Sequence, residues 1–194
     1  MSLEVGPDPQ AGQDPQTGRD PQVEELRALA HPIRLRILSL LTGAAMTAAE
    51  VARELGLTHA NASYHLRQLY AAGTIRVAGE ERIRGGAAKR YRYDTDHTLS
   101  TAPPGTAGRH RRDKRAIFLA YATELRRRLA HLRDTPGRTH GTDAELWVDP
   151  EVWTEFHARV NEASRALHRA AQPPRTPGTI RTNSTIALFE MDPE

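Results

Sequence analysis

The stretch that decides the fold runs from Ala28 to Tyr93. It reads ALAHPIRLRILSLL (Ala28–Leu41), then TAAEVARELGLTHANASYHLRQLYAAG (Thr47–Gly73), then IRVAGEERIRGGAAKRYRY (Ile75–Tyr93). A helix over Val23–Ala30 leads into it. Pro32 stands in the first turn of the next helix, where its missing N–H is harmless. Ile33, Ile37, Leu40 and Leu41 keep helical spacing, and Gly43 ends that helix. Thr47 and Glu50 have the spacing of a capping box for a helix reaching Leu55, which Gly56 stops. Thr58 caps a further helix with Ala62, Leu66 and Leu69 on its buried face, ending near Gly73. Two helices joined by Gly56-Leu57-Thr58 read as a helix-turn-helix.

The ribbon that follows alternates. On its first strand Ile75, Val77 and Ile83 are expected on one face and Arg76, Arg82 and Arg84 on the other. On its second strand Tyr91 and Tyr93 lie opposite Arg90 and Arg92, with Gly85-Gly86 as the turn. The apolar face is expected on the helices and the arginine face toward a partner.

Charge points to the kind of partner. The net charge is +3, but residues 23–95 hold 11 Lys/Arg against 7 Asp/Glu, and residues 107–135 hold 9 against 3. Cation is therefore concentrated beside the helical trio, as a polyanion-binding surface requires. The chain has no cysteine, which removes disulfides, thiolate metal sites and a cysteine nucleophile. No signal-like start and no apolar run of spanning length is present, so a cytoplasmic protein without a membrane partner is expected. Nucleotide-binding glycine loops, HExxH and GxSxG are all missing, and neither an enzyme nor a cofactor is expected.

The remainder divides by composition. Residues 1–22 repeat DPQ three times and read as a disordered tail. Residues 23–94 form the first domain, and 95–110 form a linker. Residues 111–191 form a second region, with a helix over Arg111–Arg133 and a short strand at Glu145–Val148. A further helix opens at Asp149-Pro150, and a final strand over Thr185–Phe189 could pair with the first. On the long helix Phe118, Tyr121, Leu125, Leu129 and Leu132 approach a heptad seam and are candidate dimerisation residues. The last helix carries an apolar stripe of Phe156, Val160, Ala163 and Leu167. His157, Asn161, Ser164 and His168 make a polar stripe of the kind usual on an outer face. All Phe and Trp residues fall in this half, so a separate apolar cluster is expected there.

On the helix after Thr58 the face away from the core offers His59, Asn61, Tyr64, Arg67 and Gln68. Asn and Gln can bond bidentately to adenine and Arg to guanine, whereas Arg or Tyr can equally touch phosphate. His65 is expected to pack or to bond the backbone rather than to read bases. Arg82, Arg84, Lys89, Arg90 and Arg92 on the ribbon suit backbone or minor-groove contacts.

By these residues the chain resembles the ArsR-type family of winged helix-turn-helix transcriptional regulators. Ala28–Leu38 is similar to the family's opening signature, Thr58–Gly73 with Ser63-Tyr64-His65-Leu66 to its recognition helix, and Thr74–Tyr93 to its wing. LWVDPEVW and TIALFEM resemble the C-terminal extension of a larger bacterial subgroup, in which that extension serves dimerisation or effector response. The resemblance implies a mainly α fold with a β-hairpin wing (α+β) and a C-terminal helical and small-sheet region. It implies a homodimeric repressor on an inverted repeat of double-stranded DNA, with a possible small-molecule effector. Thr58, His59, Asn61, Ser63, Tyr64, Arg67 and Gln68 would lie at the major groove. Glu155, His157 and His168 resemble the ligand spacing of zinc-sensing members, but Ala171 stands where a further ligand belongs; metal sensing is a minor alternative. The lack of cysteine rules out the family's thiolate-based sensing. The alternative from another class is a winged-helix protein-interaction module.

Overall fold

The computed structural model describes residues 26–83, 86–93, 107–133 and 135–192, with side chains between 107 and 113 left aside. The expected tail, residues 1–22, lies outside the described residues, as do Arg84, Gly85 and positions 95–106 of the expected linker. Residues 26–29 are helical, and α1 (Pro32–Gly43), α2 (Ala48–Leu55), α3 (His59–Ala71), β1 (Ile75–Ile83) and β2 (Gly86–Tyr93) follow. Beyond them come α4 (Ala107–Leu129) and α5 (Pro150–Arg169). The chain has the α+β winged-helix architecture, with an antiparallel hairpin directly after the helix-turn-helix.

Local chemistry accounts for the helix ends. Pro32 opens α1, and the Ile33 N–H donates to Nδ1 of the N-cap His31 at 3.2 Å. The Thr47 N–H donates to Glu50 Oε2 at 2.7 Å while the Glu50 N–H donates to Thr47 Oγ1 at 3.3 Å, so the capping box is closed. Gly56 ends α2 at φ 65°, a left-handed conformation that glycine adopts without a Cβ penalty. Arg36 on α1 donates to the Leu55 carbonyl at 3.3 Å, satisfying one free acceptor at that end. The Asn61 N–H donates to Thr58 Oγ1 at 3.2 Å to start α3.

Ile37, Leu41, Val51, Leu66 and Leu69 are fully buried and close the helical trio. The same core continues into α4 through Ile117, with Tyr91, Tyr93 and Tyr121 packed on its margin. The second half therefore does not build the wholly separate apolar cluster expected from its aromatics. Met46 adds a bridge to the outer edge of β2: its N–H donates to the Tyr91 carbonyl at 2.9 Å and its carbonyl accepts the Tyr91 N–H at 2.8 Å. That pairing ties the wing to the loop between α1 and α2.

The hairpin differs from simple alternation. Ile75 faces Tyr93, Arg76 faces Arg92 and Val77 faces Tyr91, but the register then slips by one, and Gly79 faces Arg90. The extra residue is Ala78, and a bulge of this kind exchanges the two faces beyond it. Arg82 and Glu80 therefore continue the face of Ile75 and Val77, while Ile83 joins that of Arg76 and is half exposed. Gly86 lies within β2 opposite Ile83 rather than in the turn.

The long helix begins and ends earlier than Arg111–Arg133. Among its described side chains the buried ones are Ile117, Ala120 and Glu124. The expected seam is split: Phe118, Tyr121 and Leu125 are half-buried within the chain, whereas Leu129 and Leu132 are exposed and Leu132 lies beyond the helix end. Glu124 is 3 % exposed yet ionically held, with Arg127 at 2.8 Å and Arg128 at 3.7 Å.

Two expectations for the C-terminal half are corrected. Neither Glu145–Val148 nor Thr185–Phe189 forms a strand: among the described residues of one chain, no neighbour pairs with either backbone. The faces of α5 are also reversed. Its half-buried side is Trp153, His157, Val160, Asn161, Ser164, Arg165 and His168, whereas Phe156, Ala163 and Leu167 face outward. The polar stripe is the inner one here, because Asn161 bonds His157 and the Ser164 carbonyl bonds His168, so the imidazoles are satisfied within the helix.

Candidate nucleic-acid interface

α3 is built to show one face. Ala62, His65, Leu66 and Leu69 turn into the core, which leaves His59, Asn61, Tyr64, Arg67 and Gln68 exposed together on the opposite side. Thr58 is exposed at the helix start and Ser63 is half-buried. The face thus offers an amide at Asn61, another at Gln68 and a guanidinium at Arg67, the groups able to read base edges or hold phosphate. Tyr70, which motif reading did not select, is also half exposed, with its ring 6.1 Å from that of Tyr91 at the junction of α3 and the wing. Its position on the helix face, one turn beyond Arg67, is the signal that would have found it.

Behind this face lies a pair of histidines. The His31 and His65 rings are 4.8 Å apart, and that of Tyr64 is 5.3 Å from His65 on the outer side. Burial first, then the neighbouring Arg34 cation, lowers the His31 pKa; burial, then His31 and Arg34, lowers that of His65. The neutral state suits the geometry, since His31 Nδ1 must accept the capping N–H of Ile33. His65 is a packing residue, as expected, and its Nδ1 is buried without a hydrogen-bond partner among the described residues.

The wing is less uniformly cationic than its sequence. Arg90 turns inward: its guanidinium donates to Glu81 and to the Ala45 carbonyl at 2.6 Å, and lies 3.4 Å from Glu50. Hydrogen bonds from Thr47 and the charge of Arg90 hold the Glu50 carboxyl below its ordinary pKa, outweighing the opposing effect of burial. Arg90 therefore fastens the wing to the N-terminus of α2. Lys89 is exposed and stands opposite Glu80 in the register, Arg82 is exposed, and Arg92 is half-buried opposite Arg76. Arg84 lies outside the described residues, and the side chains of Arg109–Arg112 are likewise not described.

The histidine set on α5 remains dispersed among local partners. Glu155 pairs with Arg159 at 2.6 Å, His157 with Asn161 at 3.1 Å, and His168 with the Ser164 carbonyl at 2.7 Å. Among the described residues of one chain, no three acidic or imidazole groups converge as metal ligands. No described helix is long and apolar enough to cross a membrane.

The comparison with known families agrees with this geometry. A family model described as a helix-turn-helix domain matches residues 29–78, from the end of the leading helix to the first part of β1. No curated protein matches the chain. Fold and match together define the class of this part of the chain as a helix-turn-helix domain.

Proposed function

We propose that this chain is a sequence-specific, homodimeric transcriptional repressor of the ArsR-type winged helix-turn-helix family. The observation that carries the reading is the single exposed face of α3, where Asn61, Tyr64, Arg67 and Gln68 stand clear of a core closed by Ala62, Leu66 and Leu69. In this reading residues 23–94 are the reading head and residues 111–191 the dimerisation and effector region. Thr58, His59, Asn61, Ser63, Tyr64, Arg67 and Gln68 meet the major groove. Arg82, Arg84, Lys89 and Arg92 follow the adjacent backbone, while Arg90 positions the wing from within. Two-fold symmetry calls for an inverted repeat with half-sites about one turn, roughly 34 Å, apart or a multiple of it. An effector held by the second region acts by favouring one relative placement of the two heads.

Selection from a random duplex library at moderate salt, repeated with Asn61→Ala, tests this. The expected result is an inverted-repeat motif that relaxes at one symmetric position in the variant. Recovery of no motif by a folded dimer would return the domain to the protein-interaction reading.

A further inference from the structure

The segment around Thr185–Phe189 lies along α4 as an extended run. Near one end, Asn183 Oδ1 accepts a bond from Arg128 at 2.9 Å; near the other, the Phe189 ring is 5.4 Å from that of Phe118. The ten helical residues between those anchors span about 15 Å, which six residues reach when extended but not when helical, at about 9 Å. The segment therefore runs antiparallel to α4, held by side chains. Its backbone is open to pairing: among the described residues, no backbone–backbone hydrogen bond involves 180–191 or 142–148. An extended segment with unpaired N–H and C=O groups is a template for another strand.

The complementary strand is present in the same sequence. Leu146, Trp147 and Val148 are 72, 88 and 47 % exposed, a contiguous uncovered apolar run in which Trp and Val favour strands. The exposed parts of Leu146, Trp147, Val148, Phe156, Leu167, Ile186 and Phe189, at roughly 200 Å² per whole residue, amount to on the order of 800 Å². That matches the ~800 Å² per partner of a stable interface.

Resting on the homodimer reading above, we infer that the dimer is closed by reciprocal strand addition. Leu146–Val148 of one chain pairs with Thr185–Phe189 of a second copy, and the second copy returns the same contact. Both halves of the pair belong to one sequence, so a two-fold axis satisfies both segments at once and leaves no free copy of the contact. The outward Phe156 and Leu167 of α5 flank the same interface.

Hydrogen exchange on the full chain, with sedimentation to fix its association state, is the test. The expected result is a dimer whose amides in both segments exchange at least ~100-fold more slowly than an open chain. A second measurement uses the double variant Trp147→Cys/Ile186→Cys and a bis-maleimide of about 10 Å reach, enough to tolerate one step of register between strands ~4.8 Å apart. Linked chains support the inference; a link within one chain, or none, overturns it. A dimer with both segments unprotected also overturns it while leaving the homodimer intact, and a monomer overturns both.

Discussion

The backbone carbonyl of Gln172 occupies the space into which a side chain at Gly43 would project. Glycine at the end of α1 thus lets the segment after α5 pass against the helical trio. Arg175, three residues on, reaches Glu54 on α2 at 2.7 Å. Pro173 and Pro174 line the groove between Ala44, Glu50 and Arg90. The C-terminal region is therefore seated on α2 and the end of α1, the elements that precede α3.

Gly43→Ala tests that seating by its sign. In an open helix the substitution stabilises by up to about 1 kcal/mol. Here the added methyl meets backbone, and a net loss of about 1–3 kcal/mol is expected from thermal unfolding. Faster proteolysis near Pro173 should accompany it. A stabilised variant would show that the contact at Gln172 carries no weight.

Arg90 and Arg82 should separate into two kinds of effect. Arg90→Ala removes the tie between wing, Ala45 and Glu50, and is expected to cost about 1–2 kcal/mol of stability. Arg82→Ala should leave stability within about 0.5 kcal/mol. In DNA titrations it should weaken binding on every sequence and lower the salt slope by about 1. Equal stability losses in the two would contradict the inward role assigned to Arg90.

The paired histidines set a pH window. Their pKa values in the fold lie below the ordinary 6.5. The unfolded chain therefore binds more protons as pH falls below about 6.5, and the stability they contribute, fully present above it, is lost toward their lowered values. Protonation also removes the acceptor that caps α1. Melting temperature is expected to fall between pH 6.5 and 5, and less steeply in His65→Gln. Parallel curves for the two proteins would remove His65 from the effect.

Glu124 is buried on α4, within reach of Arg127 and Arg128. Glu124→Ala is expected to cost about 1–3 kcal/mol, because burial already disfavours the charged form of Arg128, which then loses its counter-charge. Chemical denaturation provides the measurement, and a change below about 0.5 kcal/mol would count against it.

What the sequence by itself determined lies within single turns. Pro32, the Thr47–Glu50 box, Gly56 and Thr58 act on partners two to four residues away, and the helical period alone sorted Asn61 and Gln68 from Leu66 and Leu69. Tertiary structure decided the rest. One extra residue at Ala78 exchanged the wing's faces beyond it, a reversal that strict alternation cannot foresee. Arg90 found its acceptor 45 residues away, and Met46 became a strand partner for Tyr91. Part of the apolar seam on α4 was taken up by the chain's own core, while the inner face of α5 proved to be its polar one. Periodicity reports that a face exists; which surface meets it depends on contacts between segments far apart in the chain, and these form only when the whole fold closes.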